Sequence, residues 1–170
     1  TDIYAVWSDA GKVYGDEVLS GDENKNLVQI AKDMDLMLAK IDTKTGKITT
    51  RVLETSYADM QPKITVRNGD VSVAWIANDV TSGDNVFSDN NYMELAYTSS
   101  TEDYCITESV LKPTEHPINL SIGYLDGKKS IIFEADTDNT SDTQEDRELY
   151  SMIIETEAVF APIKRFTQND

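Results

Sequence analysis

The sequence predicts an all-β protein built from antiparallel four-stranded units, and two observations support this fold class. The first is residues 61–112, where four short apolar runs alternate with turns and polar loops. Asn68-Gly69 separates the first two runs, and this pair is a strong signal for a two-residue hairpin. The second is a repeat, because Trp75 recurs as Phe133 and the turn glycine recurs at the same distance. Four-stranded units that recur at a fixed period are typical of propeller blades.

A β-sandwich is the alternative architecture, since it also has short strands at regular spacing. It gives no reason, however, for the same turn to recur one period later. We therefore expect residues 1–170 to form a single β-propeller segment of three consecutive blades. The expected blades are residues 1–58, with only the second to fourth strands, then 59–113 and 114–170.

The first blade is expected to begin at its second strand. Its strands are predicted at residues 3–8, 36–41 and 47–54. A long polar loop, residues 9–33, joins the first two, and within it residues 26–31 fit either a short helix or a strand. The turn from Asp42 to Gly46 places a glycine where a hairpin needs left-handed backbone.

The second and third blades are expected to have four strands each. The predicted strands are residues 61–66, 71–77, 92–98 and 104–111, then 116–122, 129–135, 148–155 and 159–166. Asp126-Gly127 takes the place of Asn68-Gly69 in the third blade. Pro162 lies in the last strand, where an outer edge tolerates the missing N–H donor.

The segment 121–133, with its Asp126-Gly127-Lys128 turn and an apolar run ending in Phe133, resembles the repeat of TolB-like β-propellers. The turn at residues 42–47 is similar to the turn between the third and fourth strands of that repeat. The chain departs from the pattern at Leu125, where the family usually has proline. The resemblance implies a propeller fold that hosts a binding site, and it carries no catalytic residue.

Charge and cysteine content limit the partners. The 170-residue chain has a net charge of −16, which argues against nucleic acid because phosphates bind Lys and Arg. No apolar run reaches the length of a membrane span, so we expect no membrane insertion. The single cysteine, Cys105, is expected to be a small buried hydrophobe and rules out an internal disulfide framework.

Candidate catalytic groups are few. His116 is the only histidine, and its position before a proline in a blade connection is an ordinary turn context. One histidine and one cysteine cannot build a standard zinc site. The four arginines are scattered, and no carboxylate pair is singled out by its spacing. We therefore predict no catalytic and no cofactor-binding residues.

Acidic loops are the one concentrated polar feature. The three long loops between second and third strands should lie on the same face of the blade stack. In the third of them, Asp136, Asp138 and Asp142 alternate as oxygen ligands for a hard cation such as Ca²⁺ would. The alternative is an acidic loop that is simply solvated. The sequence thus predicts one candidate metal site, with calcium as its ion.

These observations predict a non-catalytic binding or interaction module of a secreted or cell-surface bacterial protein, with a protein or a glycan as ligand. Two alternatives are part of a propeller-type glycoside hydrolase completed by further blades, and a structural spacer. An incomplete first blade leaves two blade faces without neighbours. We therefore expect self-association, for example as a six-bladed ring about a two-fold axis, or docking with further blades.

Overall fold

A computed structural model describes residues 2–12, 23–53, 57–80, 92–99, 105–106, 116–136, 147–156, 159–160 and 164–167. Within these residues the chain forms one helix and twelve strands. They are β1 (Asp2–Asp9), α1 (Glu23–Lys32), β2 (Asp35–Asp42), β3 (Ile48–Leu53), β4 (Ala58–Arg67), β5 (Asp70–Asp79), β6 (Tyr92–Ser99), β7 (Cys105–Ile106), β8 (Ile118–Leu125), β9 (Lys128–Ala135), β10 (Glu148–Thr156), β11 (Val159–Phe160) and β12 (Lys164–Arg165).

The strands form three antiparallel sheets. The first sheet is β1-β2-β3, the second is β4-β5-β6-β7, and the third is β8-β9-β10 with β11 and β12 both paired to β10. The predicted all-β, antiparallel fold is confirmed, and over the described ranges each sheet is open. The strand predicted at residues 159–166 is present as two short pieces, and Pro162 between them lies outside the described residues.

Both predicted two-residue hairpins are confirmed. Asn68 and Gly69 have φ angles of 52° and 86°, and Asp126 and Gly127 have 49° and 81°. Positive φ at both central positions gives the backbone the twist that joins two right-twisted strands. The predicted turn of the first sheet is also present, with Gly46 at φ 71°.

A bulge interrupts the first strand of the second and third sheets at corresponding places. The pairing register of β4 with β5 shifts between Met60 and Lys63, and that of β8 with β9 shifts between Ile118 and Ser121. Left-handed φ angles occur at Gln61 in the first bulge and at Asn119 in the second. An extra residue bends the strand at such a site. Strand β4 continues on both sides of its bulge and begins at Ala58 rather than at residue 61.

The ambiguous segment at residues 26–31 is helical. It lies within α1, which has Glu23 in its first turn and Lys32 in its last, an order that complements the helix dipole. Ala31 is buried in a small cluster with Ala58 and Val80 of the second sheet. This contact anchors the helix beside the start of β4.

The second sheet is packed on both sides. Its central strand β5 is buried along nearly its whole length. One face meets the first sheet in a cluster that includes Leu36, Leu53 and Trp75. The other face meets the third sheet in a cluster that includes Tyr97 and Phe133. Trp75 and Phe133 are therefore equivalent, because each lies on the second strand of its sheet and faces the preceding sheet.

Corresponding strand ends of the three sheets lie at the same end of the stack. Asp59 N donates to Met34 O at 2.9 Å, which joins the start of β4 to the start of β2. The Tyr124 hydroxyl lies 3.3 Å from Asp70 Oδ2, which joins the two hairpins at the opposite end. We call the end with the turns Asn68-Gly69 and Asp126-Gly127 the hairpin end and the other the loop end. The strand ends that flank the three long connections consequently lie together at the loop end.

Candidate functional site

The predicted metal ligands are only partly described. Asp136 directly follows β9 at the loop end, and its exposed fraction is 1 %. Asp138 and Asp142 lie outside the described residues. Among the residues that are described, no three His, Cys, Asp or Glu side chains come together as a metal site. The calcium site stays a prediction, and one of its three carboxylates is buried rather than loop-exposed.

His116 and Cys105 are the two other residues whose side chains could serve in catalysis or metal binding. His116 is buried at the loop end, and its backbone carbonyl accepts a hydrogen bond from Arg147 Nη1 at 3.4 Å. Cys105 lies in β7, and its side chain is outside the described part of the structure.

Buried polar pairs stabilise the loop end. The Glu148 carboxylate is fully buried and accepts a hydrogen bond from Arg165 Nη2 at 2.6 Å and another from the Thr167 hydroxyl. This ion pair holds β12 against β10. In the second sheet, Trp75 Nε1 donates to the buried Asp59 Oδ1 at 2.8 Å. A buried carboxylate with such partners has its desolvation offset by charge-assisted hydrogen bonds.

The face of the first sheet that points away from the second sheet is apolar and exposed. Side chains alternate along a strand, and Val6 packs toward the second sheet, so its neighbour Trp7 points outward. Strand register then places Met37 and Val52 beside Trp7. The same pairing aligns a second row of the outward side chains: Ile3, Ile41 and Ile48. We call this surface, formed by Ile3, Trp7, Met37, Ile41, Ile48 and Val52, the first outer face.

The third sheet has a matching exposed surface. Leu149 is opposite Glu134 and Ser151 is opposite Ile132, on the side away from the second sheet. Ile132 and Leu149 are each 36 % exposed. We call the surface formed by Ile132, Leu149 and Ile153, around Ser151 that is only 5 % exposed, the third outer face. It is more polar than the first outer face.

A polar network joins the second and third sheets at the hairpin end. Lys129 Nζ lies 2.9 Å from Asp70 Oδ2 and donates to the Tyr97 hydroxyl at 2.7 Å. Tyr124 also contacts Asp70, and the Arg67 guanidinium lies 4.5 Å from the centroid of its ring. These residues belong to five different strands, and their meeting was not predicted because it depends on how two sheets stack.

The network changes two pKa values in the same direction. Burial lowers the pKa of Lys129, but hydrogen bonds to Tyr97 and Asp70 outweigh burial and raise it overall. Burial raises the pKa of Tyr124, and the neighbouring Asp70 carboxylate raises it further. Both groups therefore hold their protons more tightly in the folded chain than in the unfolded chain.

No described helix has the length and apolar character needed to cross a membrane. The chain was also compared with known proteins. No protein-family model matches it, and no curated protein matches it either.

Proposed function

We propose that the chain is a non-catalytic interaction module made of propeller-type blades, and that its outer faces bind further sheets of the same kind. The observation that carries the proposal is the environment of Trp7. Trp75 and Phe133 are fully buried against a preceding sheet, whereas Trp7 occupies the corresponding place on the first sheet and is 40 % exposed. Repetition of the pattern supports a sheet of the same kind as the occupant of this face.

The third outer face supports the same occupant from the other side. Leu36 and Leu95 lie opposite the residues that follow Trp7 and Trp75, and each packs on the following sheet. Leu149 takes the corresponding place on β10 and is exposed. The first outer face of one chain would then pack on the third outer face of a second chain. Two chains in this arrangement form two identical interfaces and close a ring about a two-fold axis.

The arrangement of strands supports stacking around a common axis. On one side of the stack the edge strands of neighbouring sheets lie beside one another, β1 beside β4 and β4 beside β8, with β1 in the place of a second strand of its blade. Strands that converge at one edge of a stack are what blades around an axis require. In such a module the loop end carries the long acidic connections, and rigid sheets commonly present ligand-binding loops. We extend the proposal to a protein or glycan ligand at that end, in a secreted or cell-surface bacterial protein.

Sedimentation velocity over a concentration series tests the docking proposal. We expect the chain to associate in the micromolar range. Ile48→Asp should weaken association by about tenfold or more, because it places a charge in an apolar interface. Ile48 is 62 % exposed, so the variant should keep its fold.

Leu27→Asp is the matched control, since Leu27 is 47 % exposed on α1 and lies on neither outer face. It should leave association unchanged. A chain that stays monomeric at high micromolar concentration, or an equal loss in both variants, contradicts the proposal.

A further inference from the structure

A cavity of about 350 Å³ lies between the first and second sheets toward the hairpin end. Leu38 lines it from the first sheet, and Val71 and Val73 line it from the second. Its volume falls in the range of about 300 to 1,000 Å³ that is typical of small-molecule sites. The apolar walls continue the core between the two sheets, and the polar groups lie around them.

Two cations line the cavity, Lys40 on β2 and Arg51 on β3, and no acidic side chain lines it among the described residues. Lys40 Nζ lies 2.9 Å from Asp2 Oδ2, and this hydrogen bond raises the pKa of Lys40, so the ammonium stays charged. Arg51 has no acidic partner within the described part of the chain. The lining thus carries two cations, one of them paired with Asp2, in a chain whose net charge is −16.

One residue of the cavity lining, Thr98, also has a buried hydroxyl. Thr98 is paired with Val73 across β5 and β6, so both side chains face the first sheet. Thr98 is only 3 % exposed, and its Oγ1 has no hydrogen-bond partner among the described residues. An unsatisfied buried hydroxyl costs free energy in the folded chain.

We propose that this cavity binds a small monocarboxylic acid with an apolar body. The carboxylate lies between Lys40 and Arg51, because the planar guanidinium matches the two oxygens of a carboxylate. The apolar body packs against Leu38 and Val73, which inorganic phosphate cannot do. The site is separate from both outer faces, so it does not depend on association of the chain.

Phenylacetate is a suitable probe for the full chain. In an NMR titration at millimolar concentration, we expect saturable shifts of the backbone amides of Leu38, Lys40, Val73 and Thr98. Phenylacetamide has nearly the same shape and no charge. It should bind at least about tenfold more weakly, the factor expected for losing a hydrogen bond between charged groups. Inorganic phosphate should produce no saturable shifts at these amides.

One variant and two controls assign the binding to the cations of the cavity. Arg51→Gln should weaken phenylacetate binding by about tenfold. Lys44→Gln makes the same charge change in the exposed turn between β2 and β3, outside the cavity lining, and should leave affinity unchanged. Thr98→Val keeps the side-chain shape and removes the buried hydroxyl. It should make the free chain more resistant to urea and leave phenylacetate affinity unchanged, because the hydroxyl is not accessible from the cavity.

Three results would each overturn the proposal. They are the absence of saturable shifts with phenylacetate, equal affinity for phenylacetamide, and an equal loss of affinity in Lys44→Gln and Arg51→Gln.

Discussion

Two tryptophans that lie on strands of neighbouring sheets, Trp7 and Trp75, have opposite environments. Trp75 is fully buried between two sheets and donates a hydrogen bond to the buried Asp59. Trp7 is partly exposed on the first outer face. The same residue type therefore stabilises the chain through core packing at one position and is available to a partner at the other.

We expect Trp75→Phe to lower the free energy of unfolding by about 2 kcal/mol or more, since it removes buried ring volume and the N–H donor to Asp59. Urea unfolding measures this loss. Trp7→Phe makes the same chemical change on an exposed face, and for a monomeric sample it should cost less than about 0.5 kcal/mol. Equal losses in the two variants would show that the burial of Trp75 is not what stabilises this position.

At the scale of the element, the two-residue hairpins set the register of the second and third sheets. Each turn places a glycine at strongly positive φ, and a Cβ at Gly69 would meet no atom within 4 Å. Any penalty for a side chain at Gly69 is therefore conformational and not steric crowding by neighbours.

Gly69→Ala should lower the free energy of unfolding by about 1 kcal/mol, because alanine is strained in the left-handed backbone conformation that glycine adopts freely. Gly123→Ala is the control. Gly123 lies within β8, has no positive φ, and also has open space around its Cβ position. Alanine there should raise stability by up to about 0.5 kcal/mol. Thermal unfolding distinguishes the two, and a loss in the Gly123 variant equal to that at Gly69 would contradict the conformational explanation.

The turns could be predicted because their chemistry is local. Asn-Gly and Asp-Gly specify positive φ without reference to the rest of the chain. The segment at residues 26–31 could not be assigned, since an apolar run this short fits helix and strand alike. The bulges at Gln61 and Asn119 were missed for a different reason. An extra residue in one strand is defined by its pairing with the neighbouring strand, and pairing is not visible in one segment.

The polar sites were harder to predict than the elements. Asp136 was predicted as a loop ligand for a cation, and this site stays a prediction; the sequence did not show that Asp136 directly follows a strand and is buried. The residues of the hairpin-end network are separated along the chain, and only sheet stacking brings Asp70, Tyr97 and Lys129 together. The cavity has the same origin, because its cations come from one sheet and its buried hydroxyl from another.

At the scale of the whole molecule, the hairpin-end network makes stacking of the second and third sheets sensitive to alkaline pH. The pKa values of Lys129 and Tyr124 are raised from ordinary values of 10.5 and 10.0. A raised pKa means that the stabilisation is complete below the ordinary value and is lost as pH rises through the folded value.

We expect the free energy of unfolding to fall as pH rises above about 10, and Lys129→Met to reduce that fall. Repulsion within a chain of this net charge also grows at high pH, so a control is needed. Lys128→Met removes an adjacent, exposed lysine whose Nζ is 3.8 Å from Glu155 Oε1. Denaturant titrations at several pH values should show that the Lys128 variant keeps the fall. The explanation fails if both variants reduce it equally.

The double-sided burial of the second sheet also determines how the chain can come apart. A sheet with one wet face can survive the loss of its neighbour, but here β5 would expose apolar side chains on whichever side was stripped. The second sheet is consequently stabilised by the interfaces with its two neighbours, and not by its own strand pairing alone. Fraying therefore starts at the first and third sheets and proceeds inward. We therefore expect the second sheet to unfold last. A further sheet stacked on an outer face would bury that face and protect its sheet from fraying.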